Sequence, residues 1–494
     1  MQLRMQEMEN KSPMKNRCFY IAFGLLVFLH LGKAGLFIAA GQPPLQGDAK
    51  HYWSVATRMA EGDWLAATVK PETIRTPGYP MVLVIFQLLF GRYALVAATV
   101  FQQVVVFVTA FITAWMCYQA TGSKLGGLTG LTLSLFCISQ NSVATYLLSD
   151  PLFGLLVTAS VAALIAWVNR PTFLRAAIVG IMLGAATLVK PIAQLAWIPV
   201  AIVMVLNLYG PGVFRRSLGH VLCLVVAMLV LLMPCYARNY YCFGQVFLTK
   251  TAGITIWQSL FGGKINDPLD PPVPFADTPR TVAVLKQLEG VDLRDHWAVL
   301  PRLEQLNYSR MEANDLMQGV CVDAIKAHPW KYLASRAHRF AWFWITPNGT
   351  FRPNTHLFRL FTLKADGSSD SQSQRLGSYY NQFFWFSDAY FRQGCLNWLW
   401  HPNPWSYLLV ALFIPVGLIA MARKPGQRVH AIAFAMLLLY FSVLTVVGAR
   451  PEYRYRMILE PIIIASVVPV VMDLIRMIHR IHKQRKETSS CNRG

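Results

Sequence analysis

The stretch Gly47-Asp48-Ala49-Lys50-His51-Tyr52, with Arg75-Thr76-Pro77-Gly78-Tyr79-Pro80 a little further on, sets a carboxylate, an imidazole and two cations in a short polar part of an otherwise apolar chain. A carboxylate so placed can take the proton of an incoming hydroxyl as a general base. Arginine clamps an anion through parallel hydrogen bonds, and lysine offers it a point charge. If Asp48 begins a helix, Asp48, His51 and Tyr52 fall on one face through their i, i+3, i+4 spacing. Each also has a plainer use: Asp48 could cap that helix, and Tyr79 could sit in an aromatic belt at a membrane edge. The elements that carry these residues decide between the readings.

Of 494 residues, 55% are hydrophobic and 14% charged, with a mean hydropathy of +0.39. That excludes a soluble globular domain, and several apolar runs approach the roughly 20 residues that cross a bilayer. The class is therefore an all-α polytopic membrane protein. A formal charge of +21 does not call for nucleic acid, because cytoplasmic loops carry excess Lys and Arg. The cysteines form no C-x-x-C pair; Cys117, Cys137 and Cys223 lie in apolar runs as packing residues. Cys242, Cys321 and Cys395 fall in the large polar segment, where a disulfide is possible but its pairing is open.

Residues 1–17 are polar and basic, and the long apolar run behind them has no small-residue cleavage site. This reads as an uncleaved first span with a cytosolic N-terminus. Spans are expected near 18–40, 94–118, 125–146, 150–168, 174–190, 191–208, 218–236, 405–422, 429–448 and 457–475. With about ten crossings, Lys11, Lys15, Arg17, Lys124, Arg170, Arg175, Arg215, Arg216, Arg423, Lys424, Arg428 and the basic tail after Arg476 all face one side, as the positive-inside rule asks. The run 81–90 is too short to cross and reads as an interfacial or re-entrant helix; a short true span is the alternative. The chain divides into an N-terminal membrane module (1–238), an extracytoplasmic insert (239–404) and C-terminal spans with a cytoplasmic tail (405–494). In the insert, Trp330, Tyr332, Arg336, Arg339, Phe340 and Trp342 suit a helix lying among headgroups. The aromatic stretch 379–386 suits a lid or compact outer domain.

This threading brings further ionisable residues to the outer end. Asp150, between Ser149 and Pro151, starts a span and could be only its cap. Lys190 stands between two apolar helices and needs a partner or an anion. Arg238 and Asn239 end the seventh span; Glu452, Arg454 and Arg456 precede the last. Cations gathered with carboxylates at a membrane face fit a phosphate-bearing lipid, and are the parts that sugar transfer from a polyprenyl-linked donor requires.

In its motifs the chain resembles the GT-C superfamily of integral-membrane glycosyltransferases, in particular the bacterial lipid A aminoarabinose transferases and relatives of protein O-mannosyltransferases. The matching stretches are G-D-A-K-H-Y at 47–52, R-T-P-G-Y-P at 75–80, L-L-S-D-P-L-F at 147–153, L-V-K-P at 188–191, P-C-Y-A-R-N-Y-Y-C-F-G at 234–244, A-H-P-W-K-Y-L at 327–333 and E-Y-R-Y-R-M-I-L-E-P at 452–461. The resemblance implies a GT-C-type helix bundle, interfacial helices in the first outer loop, and inverting transfer from a polyprenyl-phosphate (undecaprenyl-type) sugar at the periplasmic face of the bacterial inner membrane. It implies Asp48 as catalytic base and Asp150 as a second acid. Arg75, Lys190, Arg238 and Arg454 would hold the donor phosphate, with His51, Tyr52, Tyr79, Asn239 and Glu452 lining the pocket. The first loop carries a single acid rather than D-x-D or E-x-D, so no cofactor is expected and a divalent metal is in doubt. The acceptor could be a glycan, lipid or protein. A transporter of lipid-linked sugars is the rival reading, but it calls for midplane charges and paired broken helices.

Overall fold

The computed structural model describes residues 13–39, 45, 47–67, 71–144, 146–208, 214–262, 273–345, 404–448 and 453–491. Within them every α or β element is a helix. The N-terminal half comprises α1 (Pro13–Ala39), α2 (Asp48–Ala60), α3 (Gly78–Phe90), α4 (Ala94–Thr121), α5 (Lys124–Leu135), α6 (Ile138–Val143), α7 (Asp150–Asn169), α8 (Phe173–Val189), α9 (Trp197–Asn207) and α10 (Phe214–Phe243). The insert supplies α11 (Ala252–Leu260), α12 (Pro279–Gln287), α13 (His296–Gln305), α14 (Arg310–Ala327) and α15 (Pro329–Ile345). The chain continues with α16 (Pro404–Ala422), α17 (Arg428–Gly448), α18 (Tyr453–Met457) and α19 (Glu460–Cys491).

Among the described residues, five stretches are long and apolar enough to cross a bilayer: Gly78–Thr121, α7, Arg215–Phe243, α17 and Glu460–Arg485. They pack into one core in which Phe153, Trp167, Phe434 and Leu164 are fully enclosed. Their outer faces stay apolar, as Leu222, Val230 and Met233 of α10 do. That is the pattern of helices surrounded by lipid rather than water. Close approach is bought with glycine: a Cβ at Gly180 or Gly184 would press on α10 at Leu224 or Met228.

The first of the five stretches is bent back on itself. Gly91, at φ 48°, opens a single 3₁₀ turn (Gly91–Tyr93) between α3 and α4. Beyond it the helices run side by side, with Phe86 and Phe101 5.3 Å apart and Gln102 Nε2 donating to Tyr79 Oη at 2.7 Å. At 13 residues, α3 is about 20 Å long, shorter than the hydrocarbon core. Gly78 starts α3 against α8, where a Cβ would lie 2.5 Å from the Leu188 carbonyl oxygen. Gly78→Ala is therefore expected to lower stability by about 1–3 kcal/mol, read as a lower thermal midpoint in detergent.

Two expected spans differ in detail. The run at 125–146 is broken: α5 ends at Leu135 and α6 begins at Ile138. Asn141 Nδ2 donates to the carbonyls of Leu135 and Cys137 that flank the break, each at 2.8 Å, which makes it tolerable inside a bundle. The run at 191–208 opens with a 3₁₀ turn, Pro191–Ala193, because Pro191 cannot continue α8, and α9 starts only at Trp197.

The described part of the insert has its own core around Trp257, Phe261, Leu303 and Met317. In its α15, Arg336 and Arg339 face inward rather than toward headgroups. Arg336 and Arg339 are 6% and 3% exposed, and both guanidinium groups bond Ser259 Oγ. Arg336 also donates to the carbonyls of Ser259 and Val446, each at 3.1 Å. Its charge is thus spent on the carbonyl-rich ends of α11 and α17, tying the insert to the bundle. Cys242 and Cys321 are free thiols. Cys395, the stretch 379–386 and Glu452 lie outside the described residues.

Candidate functional site

The site is built from the end of α2. Gly47, at φ 53°, is the N-cap, and Asp48 is the first helical residue. The Asp48 carboxylate, 25% exposed, is bonded to the Nη2 of Arg75, 18% exposed. The other atoms of the same guanidinium reach the same helix face: Nε donates to His51 Nδ1 at 3.4 Å and Nη1 to Tyr52 Oη at 3.4 Å. The guanidinium carbon also stands 4.7 Å above the Tyr52 ring, a cation–π geometry.

Arg75 is held there by a stitched loop. Thr76 Oγ1 donates to the Val189 carbonyl at 3.0 Å, and the Lys250 amide donates to the Thr73 carbonyl at 2.8 Å. Arg238 Nη1 donates to the Glu72 carbonyl at 2.5 Å and to Asn239 Oδ1 at 2.5 Å. Asn239 in turn closes the turn after α10 by donating to the carbonyls of Phe247 (2.7 Å) and Leu248 (3.2 Å). Between the loop, α2 and α10 lies a small cleft, with Glu72, Arg75, Arg238 and Asn239 on its polar side and Val55, Met59 and Leu248 on its apolar side.

The second acid follows the same logic. Asp150 is the first residue of α7 and Ser149 is its N-cap, whose side chain makes no capping bond. Asp150 Oδ1 accepts from Lys190 Nζ at 2.7 Å; the two side chains are 2% and 14% exposed. The Lys190 ammonium also sits 5.3 Å from the Tyr455 ring centroid. The two ion pairs are joined through Ser149, whose Oγ lies 2.9 Å from Tyr52 Oη. Tyr79 is buried at 1% exposure, edge-on to Tyr52 with centroids 5.1 Å apart. It is therefore a support beneath the site and not part of a membrane-edge belt. The backbone of Arg454 is in α18, but its side chain lies outside the described residues; Arg456 is turned away, donating to the Phe343 carbonyl at 2.8 Å.

The arrangement has a fixed polarity along the bundle. Asp150 and Asn169 are opposite ends of a 20-residue helix, about 30 Å apart. Asn169 Oδ1 is 3.1 Å from His430 Nε2, beside Arg428 and close to the Lys424–Asp473 pair. The acids thus stand about one bilayer thickness from the basic ends of the helices.

No family model matches this chain, and no curated protein matches it in sequence. Among solved structures it is similar to ArnT from Cupriavidus metallidurans bound to undecaprenyl phosphate, at 12% identity over 86% of this chain and 77% of that one, with a TM-score of 0.35. It is likewise similar to ArnT of that organism in the apo state, at 12% identity over 88% and 78% of the two chains, TM-score 0.36. The functional reading below therefore rests on the motifs and on the site itself.

Sequence reasoning missed Glu72, Ser149 and Gln102. Glu72 is 9% exposed; its Oε2 is 3.2 Å from His51 Nε2, and its Oε1 accepts from the amides of Ile74 (2.7 Å) and Arg75 (3.1 Å). Burial alone would raise its carboxyl, but its interactions with His51 and the two amide bonds outweigh burial and hold it at about 2. With a folded value below the unfolded one, Glu72 stabilises the protein fully above the ordinary glutamate range. That contribution, on the order of 2–3 kcal/mol, is lost as pH falls toward 2. Acid unfolding of Glu72→Gln should accordingly be less steep between pH 4.5 and 2 than that of the parent.

Proposed function

We propose that this protein is a membrane glycosyltransferase that moves a sugar from a polyprenyl-phosphate donor to a hydroxyl acceptor on the extracytoplasmic face. The observation that carries the reading is the pairing of each acid with a cation, Asp48 with Arg75 and Asp150 with Lys190, at the end of the bundle remote from its basic loops. The ordered motifs from 47–52 to 452–461 support the same reading.

In the proposed reaction the acceptor O–H gives its proton to Asp48, the oxygen forms a bond to the anomeric carbon, and the bond from that carbon to the phosphate oxygen breaks on the opposite face, with inversion. Polyprenyl phosphate leaves as an anion. Arg75, Lys190 and Arg238 would meet it, and fixed charges aimed at developing charge are an effective source of rate. Phosphate needs no proton to leave, so the scheme requires no general acid. Asp150 is the residue that holds the Lys190 ammonium in place.

The test is release of polyprenyl phosphate from a polyprenyl-phosphate sugar by the purified protein in lipid vesicles. Acceptor-dependent release is expected. Movement of the intact donor across the vesicle without release would overturn the proposal in favour of transport.

A further inference from the structure

The hydrogen bonds around Arg75 fix the state of a neighbour that the reaction scheme does not use. The Nε–H of an arginine can only donate, so His51 Nδ1, 3.4 Å away, must be its bare acceptor nitrogen. The ring proton is then on Nε2, which faces Glu72 Oε2 at 3.2 Å and donates to it. A carboxylate behind an imidazole selects its tautomer in this way. Glu72 also takes the backbone amide of Arg75 on its other oxygen, at 3.1 Å. One buried acid therefore holds Arg75 twice, through the peptide and through the ring that receives the side chain. The remaining two guanidinium nitrogens are the ones turned to Asp48 and Tyr52.

We infer that Glu72 and His51 are positioning residues for Arg75, which set its guanidinium to receive the donor phosphate beside Asp48. This rests on the proposed function, in which Arg75 meets the phosphate. If the ring were merely packing, any side chain of similar volume at 51 would serve. If it positions Arg75, what counts is an acceptor at the place of Nδ1. Asparagine puts its carbonyl oxygen near that place, whereas glutamine puts its NH₂ near the place of Nε2. The two amides thus restore opposite halves of the relay.

The experiment measures binding of undecaprenyl phosphate to the full-length protein in detergent, together with thermal midpoints, for Arg75→Met, His51→Asn, His51→Gln and Glu72→Ala. Arg75→Met should weaken binding by about tenfold or more, the scale on which lost supporting partners act. His51→Gln and Glu72→Ala should approach that loss, while His51→Asn stays within about threefold of the parent. The kcat/KM for donor should follow binding, and the KM for acceptor should not move. Equal losses in His51→Asn and His51→Gln, tracking their thermal midpoints, would reduce the ring to a structural part and overturn the inference while leaving the phosphate reading intact. Undiminished binding in Arg75→Met would overturn that reading of Arg75, and the inference with it.

Discussion

Asp48→Asn is expected to lower the turnover of donor by about 10²–10⁴-fold, the contribution of a positioned general base, while the protein still folds. The amide keeps the shape of the carboxylate and an oxygen that can accept from Arg75 Nη2. What it loses is the charge that takes the acceptor's proton. The cost to stability is small because the side chain is 25% exposed: a partly screened ion pair and a favourable place in the first turn of α2 are each worth about 1 kcal/mol or less. Turnover and thermal midpoint measured on the same preparation separate the two effects. A variant that releases polyprenyl phosphate at the parental rate would remove Asp48 from the role of base.

Lys190→Met should behave in the opposite manner, with stability lost as well as activity. Asp150 is 2% exposed and its recorded cation partner is the Lys190 ammonium. Removing one member of such a pair leaves a buried charge uncompensated, at a cost of about 3–5 kcal/mol. Asp150→Asn in the same chain removes that charge, so the double variant should recover most of the lost thermal midpoint without recovering donor turnover. If the single and double variants melt alike, the pair does not hold this corner of the fold. If the single variant keeps the parental dependence on donor concentration, Lys190 has no part in binding the phosphate.

The residues that sequence could reach are those whose spacing carries geometric content. Asp48, His51 and Tyr52 were placed on one face by helical period, and Arg75 does meet that face. Lys190 was isolated between apolar helices and was found on Asp150. Glu72 gave no such signal: it sits in a non-helical turn, where no period says which way a side chain faces, and only the folded loop brings it beneath His51. Gln102 was hidden for the opposite reason, as one of several uncharged polar residues scattered along the 28-residue, mostly apolar α4. The burial of Arg336 and Arg339 was equally illegible. A helix carrying cations and aromatics looks the same in sequence whether its charges face headgroups or the carbonyl ends of neighbouring helices. Hydropathy reports the depth of a segment in the bilayer but not its azimuth, so the hairpin of α3 on α4 was foreseen only as a run too short to cross.

The loop around Arg75 has a consequence for how the protein exchanges with its solvent. Loop amides commonly exchange with deuterium within seconds, yet those of Ile74 and Arg75 are engaged by the Glu72 carboxylate. The loop itself is pinned to α8, to α10 and to the segment before α11. Those two amides should open only when one of these distant elements lets go, so their labelling times would belong with the slow class of helix interiors. The site would then be a clock for the whole bundle: any ligand that tightens the assembly would slow deuterium uptake at Ile74 and Arg75, even if it touches neither.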